Sequence, residues 1–315
     1  MIISMKSVRF GIMFIVLFAY SGLVASAQDG KDAPLRLAVG EAGSFFWLAG
    51  KQYEPLWDEA GISVDIITSG DDAGSLEMLL SGEADMALAP GPILEGSAGD
   101  GMDTSSVVAV APVWPGAVHI LLTRKKEETG TLSDVKNKRI FPGDEGSWQN
   151  TVAGLLLESA GIRTKRLMLD LSMVELIDVM TDFVQTPLDG AVILGSVPNP
   201  FVDDILRQTG HVYHLIPVTE EETEVMGTSG VTIFPLTVPA GSYPYQPDDF
   251  MTVGYPQFLV SRSDLDGETA RAVAEVLLTG FPESGGALPR LDAAIGSYDP
   301  DGSIVPLHPE VRDLF

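Results

Sequence analysis

Apolar positions along this chain fall into short blocks whose spacing alternates between strand-like and helix-like. Leu35 to Val39 is a compact apolar run and predicts a strand. The turn Glu41-Ala42-Gly43-Ser44 leads into Phe45 to Glu59, where apolar residues recur at helical spacing up to Gly61. Ser63 to Thr68 predicts a second strand. The block GSLEMLLSGEADMALA, Gly74 to Ala89, predicts a helix over Ala73 to Leu80 opening on Gly74-Ser75, a tight Ser81-Gly82-Glu83 turn, and a buried third strand from Ala84 to Ala89. Strands that alternate with helices imply βαβ units and a mostly parallel sheet. In such sheets small molecules sit outside the carboxyl ends of the strands, against helix N-termini that present free N–H groups.

The rhythm pauses and then restarts. Val107 to Thr123 is a long apolar stretch interrupted by Pro112, Pro115 and Gly116, which suits a crossing between domains. A short helix at Leu132 to Lys136, a strand at Lys138 to Phe141, a glycine turn at Gly143 to Ser147 and a helix from Trp148 to Ser159 follow. A helix around Met173 to Phe183 and a strand at Leu188 to Ile193 complete the second half, and Pro198, Pro200, Pro235, Pro239, Pro244 and Pro247 punctuate a loop-rich section. Met251 to Ser261 reads as a returning strand, and Asp264 to Thr279 as a helix capped by Asp264. No internal repeat or low-complexity tract stands out. Two similar βα halves joined by a crossing and a return predict two lobes about a cleft that closes by hinge bending. Lobe one takes residues 28–124 and 233–315, and lobe two takes 125–232.

Residues 1–27 are set apart from this pattern. Lys6 and Arg9, the apolar run Phe10 to Leu23 and the Ala25-Ser26-Ala27 site before Gln28 read as a cleavable secretory leader, so the expected location is the periplasm. The apolar run is short for a membrane span, and no cysteine follows it to carry a lipid. The full chain holds no cysteine at all, which excludes disulfides and thiol chemistry. Without the leader, about 288 residues remain, enough for roughly two domains. They carry 17 Lys+Arg against 44 Asp+Glu. Such an acidic chain excludes nucleic acid and anionic membrane surfaces as natural partners.

Five blocks, in order, resemble the TAXI family of TRAP-transporter solute receptors. They are VGEAGSFFWLAG, GSLEMLLSGEADMALA, LSDVKNKRIFPGDEGSWQNTVAGLLLESAGI, VPAGSYPYQPDDFMTVGYPQFLV and the terminal VPLHPEVRDLF. The resemblance implies an α/β, two-lobed periplasmic-binding-protein (type II) fold, with two mixed sheets flanked by helices and a central cleft. It further implies a monomeric receptor without enzymatic activity, metal or cofactor. Its ligand would be a small organic acid or amino acid, glutamate- or 2-oxoglutarate-like, delivered to an integral membrane TRAP permease subunit. The alternative is the same fold acting as a ligand sensor for a membrane signalling protein, with a non-dicarboxylate ligand. Three departures bear on the ligand. Phe45-Phe46 stand where the family usually offers tyrosines, Ala89-Pro90-Gly91 where it often has polar residues, and Trp148 where it has a glycine.

The ligand-binding residues expected on this reading are Gly43, Ser44, Phe46, Gly74, Ser75, Gly146, Ser147, Trp148, Gln149, Gly195 and Tyr243. Ser44, Ser75 and Ser147 each follow a glycine at a predicted helix start, where hydroxyl and N–H donors can meet an anion or simply cap the helix. Glu41, Asp144 and Glu145 lie in loops expected to face the cleft; an acid lining it disfavours a dianion and suits an ammonium group or a hydroxyl-rich ligand. No Lys or Arg occupies these loops, leaving Arg163, Arg166 and Arg262 unplaced. Catalytic motifs are absent: His211 and His214 lack a third zinc-like ligand, His119 reads as a satisfied buried histidine, and His308 as structural.

Overall fold

The apolar runs become strands β1 (Leu35–Ala38), β2 (Val64–Ile67) and β3 (Met86–Pro90), with helices α1 (Phe45–Glu59), α2 (Asp72–Ser81) and α3 (Gly91–Leu94) following them in turn. Strands β4 (Val107–Pro112) and β5 (Gly116–Thr123) come next, then β6 (Arg139–Phe141), α4 (Trp148–Ser159), β7 (Lys165–Arg166), α5 (Met173–Thr181) and β8 (Gly190–Gly195). The remainder is α6 (Pro200–Thr209), β9 (Tyr213–Ile216), α7 (Glu220–Gly227), β10 (Phe234–Val238), β11 (Phe250–Tyr255), β12 (Gln257–Arg262) and α8 (Gly267–Thr279). This computed structural model describes residues 33–95, 102–123, 130–162, 165–166, 171–182, 188–228, 230–280 and 304–315. The expected leader lies outside the described residues. The chain divides into two units, Met1–Ala33 and Pro34–Phe315, and the second is described below.

Two mixed sheets flanked by helices make up this α/β unit. The first runs β2-β1-β3-β12-β4, the second β10-β11-β5-β8-β6-β7 with β9 also on β5. In the first sheet β1 is parallel to β2 and β3, whereas β12 is antiparallel to both β3 and β4. Strand β3 is buried along its whole length, as expected of a strand covered on both faces. Helices α1 and α8 pack together beside this sheet, tied by the buried Trp57 indole N–H donating to the Val273 carbonyl at 3.3 Å. Capping follows local sequence. Ser172 with Glu175 and Thr219 with Glu222 form reciprocal capping boxes on α5 and α7.

The chain passes between the sheets twice, at Val113–Pro115 and at Pro256. The two passages lie side by side. Ala117 and Gly116 pair with Gly254 and Tyr255, Pro112 pairs with Phe258, and the Val113 N–H donates to the Gln257 carbonyl at 2.9 Å. Gly116 is needed there, because a Cβ would lie 2.1 Å from two ring carbons of Tyr255.

These passages move the expected lobe boundaries. Strands β5, β10 and β11 belong to the second sheet, so the crossings fall at Pro115 and Pro256 rather than near 125 and 232. The run Met251 to Ser261 is two strands, since Pro256 has no N–H to continue a ladder. Helix α8 is capped by Asp266, which accepts from the Thr269 N–H at 3.0 Å, and not by Asp264, which pairs with Arg262.

Candidate functional site

A cavity of ≈ 180 Å³ opens between the two sheets. Three helices begin at it, and each start is built from local sequence. At α1 the backbone turns through Gly40 and Gly43, both at positive φ (68° and 85°). Ser44 then caps the helix, accepting from the Trp47 N–H at 3.2 Å and donating to the Val39 carbonyl at 3.1 Å. At α4, Gly143 and Gly146 take φ values of 97° and 84°, and Ser147 accepts from the Asn150 N–H at 3.1 Å. At α2 the cap is Asp71, whose Oδ1 accepts from the Gly74 N–H at 2.6 Å.

The starts of α1 and α4 are copies of one another. Arg36-x-x-x-Gly40-Glu41-x-Gly43-Ser44 aligns with Arg139-x-x-x-Gly143-Asp144-x-Gly146-Ser147. Arg36 holds Asp85 through its backbone N–H at 2.9 Å and its guanidinium at 3.0 Å; Arg139 holds Asp189 in the same way at 2.8, 3.1 and 2.9 Å. The expectation of no internal repeat is therefore corrected: a nine-residue βα opening recurs once in each sheet, too short and too substituted between its fixed positions to stand out as a repeat.

Of the expected ligand-binding residues, the cavity lining brings together Ser44, Phe46, Gly146, Ser147, Trp148, Gln149 and Gly195. Gly43, Gly74, Ser75 and Tyr243 are not part of that lining. Ser75 lies one turn inside α2, fully buried, and its Oγ accepts from the Gly40 N–H at 2.7 Å. It supports the first loop from below. The helix does not open on Gly74-Ser75, because Asp71 and Asp72 precede them and aspartate is a stronger cap than glycine. Tyr243 is buried in a different network: its oxygen accepts from the Asn199 N–H at 2.8 Å, and its hydroxyl meets His119 Nε2 at 2.6 Å. His119 Nδ1 faces the Ile193 carbonyl at 3.3 Å. Burial holds this imidazole neutral, with its pKa lowered to about 4, and raises the Tyr243 phenol.

The rest of the lining comes from residues that the sequence reading did not single out as binding residues. Phe45, Phe141, Phe201 and Tyr255 join Phe46 and Trp148 as aromatic wall. Trp148 meets Tyr255 edge-on, with ring centroids 6.3 Å apart and planes at 78°. Only 5 % of Trp148 is exposed, and its Nε1–H has no acceptor. A buried donor left in this state costs about 1–3 kcal/mol. Gln257, at the second crossing, accepts from the buried Ser196 hydroxyl at 3.1 Å. The signal for Tyr255 and Gln257 was their place on either side of Pro256.

Charge in the lining has one sign. Glu41, Asp71, Asp72 and Asp144 contribute carboxylates, and among the described residues no Lys, Arg or His joins them. Arg262 is turned away, donating to the Leu79 and Ala84 carbonyls at 2.8 and 2.9 Å; Arg163 lies outside the described residues. Asp144 accepts from the Leu171 N–H at 3.3 Å. Asp72 differs: no hydrogen bond or ion pair engages its carboxylate among the described residues. Desolvation against the cleft wall, and then the charge of Asp71, push its pKa from 3.8 up to about 7. The same carboxylate adds to the burial that raises the Tyr255 phenol. His308 is structural, its ring accepting from the Glu310 N–H at 3.3 Å and facing the Leu265 carbonyl at 3.2 Å.

The NMT1-like family model matches residues 37–312. No curated protein matches the sequence. Among solved structures the chain is similar to the periplasmic aliphatic sulphonate binding protein SsuA from Escherichia coli, at 16% identity, over 77% of this chain and 69% of that one, with a TM-score of 0.43. It is similar also to a TctC solute binding protein from Polaromonas, at 10% identity, 78% and 83% coverage and a TM-score of 0.49. A third is the GluR0 ligand binding core in complex with L-glutamate, at 10% identity, 79% and 94% coverage and a TM-score of 0.48.

Proposed function

The chain belongs to the NMT1-like family, and from that premise we propose that it is an exported solute-binding receptor that closes on a small molecule and hands it to a TRAP-type membrane permease. The observation that carries this reading is the cavity itself. Three helix N-termini, six aromatic rings and the residues either side of the second chain crossing meet at one space of ≈ 180 Å³, lined from both sheets. A concave, largely apolar site with a few fixed polar groups is what a small-molecule receptor needs.

Bending at the paired crossings brings the α4 start, with Ser147, Trp148 and Gln149, onto the starts of α1 and α2. Gln149 is held for this by its amide donating to the Val192 carbonyl at 2.8 Å. Closure expels water and leaves the solute between the sheets, in a form that a permease recognises by the closed surface. Export is supported by the leader-like residues 1–27. Among the described residues no helix is long and apolar enough to cross a membrane.

A thermal-shift screen of the full chain tests the reading, with organic acids, amino acids, amines and polyols as the panel. A true ligand at 100 times its Kd adds about 2.7 kcal/mol of stability. Deleting the gene should then abolish uptake of the hit by the host. A panel without any stabilising compound refutes the receptor, and a hit whose uptake survives deletion refutes the transport role.

A further inference from the structure

We propose that the cleft selects a small organic cation, an ammonium-bearing molecule with an apolar body and one hydrogen-bond acceptor. This rests on the receptor reading and names the class of its solute. Three observations meet here. First, the described lining holds Glu41, Asp71, Asp72 and Asp144 and no cationic side chain. Asp71 is engaged as the cap of α2 and Asp144 with the Leu171 N–H, while Asp72 keeps its carboxylate without a partner. Second, the walls are aromatic rings, whose faces attract a cation and cover an apolar body at the same time. Third, the buried Trp148 indole N–H has no acceptor, and an acceptor on the solute completes it.

The converging helix N-termini argue the other way, since their partial positive charge favours anions. One first-turn N–H of each start, however, is already taken, by Ser44, Asp71 and Ser147 at 3.2, 2.6 and 3.1 Å. At α2 the Asp71 and Asp72 carboxyl groups stand against the half charge of the helix end beneath them, and a cation drawn to the cleft favours their ionised form. A bare metal ion is not the occupant that this geometry suits. Among the described residues no three His, Cys, Asp or Glu side chains are grouped to hold one.

Calorimetry on the full chain tests this with a series matched in shape and different in charge. The probes are tyramine, 3-(4-hydroxyphenyl)propionate and 3-(4-hydroxyphenyl)propionamide, together with choline, glutamate and 2-oxoglutarate. Tyramine or choline should bind at least about ten-fold more tightly than any of the carboxylates. Asp72→Asn should weaken that cation by about ten-fold and leave the neutral amide within about two-fold. Trp148→Phe, which keeps the ring and removes the N–H, should weaken tyramine several-fold.

A carboxylate that binds as well as the amines, an Asp72→Asn variant with unchanged cation affinity, or a panel in which no cation binds overturns the proposal. If Asp72→Asn does not fold, the charge series on the unmodified protein decides alone. Binding confined to anionic or neutral probes removes this inference and leaves the receptor intact, whereas a panel silent at every charge removes both.

Discussion

Replacing Asp72 by Asn should make the empty protein more stable, and the gain should depend on pH. The carboxyl of Asp72 is displaced from 3.8 up to about 7 by the folded structure. Its raised pKa means that the fold favours the protonated form. Stability is therefore greatest below about pH 4, declines as the pH rises toward 7, and is flat above. At 1.36 kcal/mol per pH unit, the displacement sets a ceiling of about 4 kcal/mol. Asp72 keeps part of its contact with solvent, which reduces the usable figure to about 1–2 kcal/mol. The variant also loses a negative charge in the first turn of α2, worth about 0.3–1 kcal/mol in the opposite sense. Desolvation is the larger effect, leaving a net gain of about 1 kcal/mol. For a unit of this size that raises Tm by about 2–4 °C. Calorimetric melts of both proteins at pH 4 and pH 8 measure it, with the unmodified protein as reference at each pH, so other titrating groups cancel. A variant that is no more stable at pH 8, or that gains equally at pH 4, would refute the claim that the cleft holds an uncompensated carboxylate.

Three further perturbations probe what stands around the cleft. Ser75→Ala removes the acceptor of the buried Gly40 N–H and should cost about 1–3 kcal/mol in urea denaturation; an unchanged midpoint would contradict its supporting role. Gly116→Ala puts a Cβ 2.1 Å from the Tyr255 ring and should cost more than about 2 kcal/mol, read by the same assay. Because burial lowers His119 to about 4 from 6.5, the unfolded chain binds more protons over that window. His119 should thus subtract up to about 3 kcal/mol as the pH falls from 6.5 to 4, and His119→Gln should flatten that part of the stability profile.

Much of the fold was legible in the sequence because its strands are short apolar runs bounded by glycine and proline. Leu35 to Val39 and Ala84 to Ala89 needed no tertiary information. The misplaced crossings have a common cause. Val107 to Thr123 and Met251 to Ser261 stay apolar straight through, because both the strands and the passages between them are buried, and only the prolines mark the break. At the site, Ser44 and Ser147 were readable from the glycine-serine pairs, and the same pattern misled at Ser75. There an Asp-Asp pair three residues earlier had already started the helix. Phe201 was invisible as lining, since it reaches the cleft from the first turn of α6, far along the chain from the helix starts it faces.

The duplicated βα opening gives the cleft two matched sides, and their mismatch sets an order of events. Glu41 faces Asp144 in the alignment and Phe45 faces Trp148, so in these positions neither side has the advantage in charge. Outside the duplicated segment the balance breaks: α2 begins with Asp71-Asp72 in the first sheet's half, while α5 begins with Ser172-Met173 in the second. A charged solute would therefore anchor first on the half that bears α2, before the other half has moved. On the proposed closure the Trp148 side would arrive afterwards as the cover. Capture and enclosure would then be separate kinetic steps, the first sensitive to ionic strength and the second to the stiffness of the paired crossings.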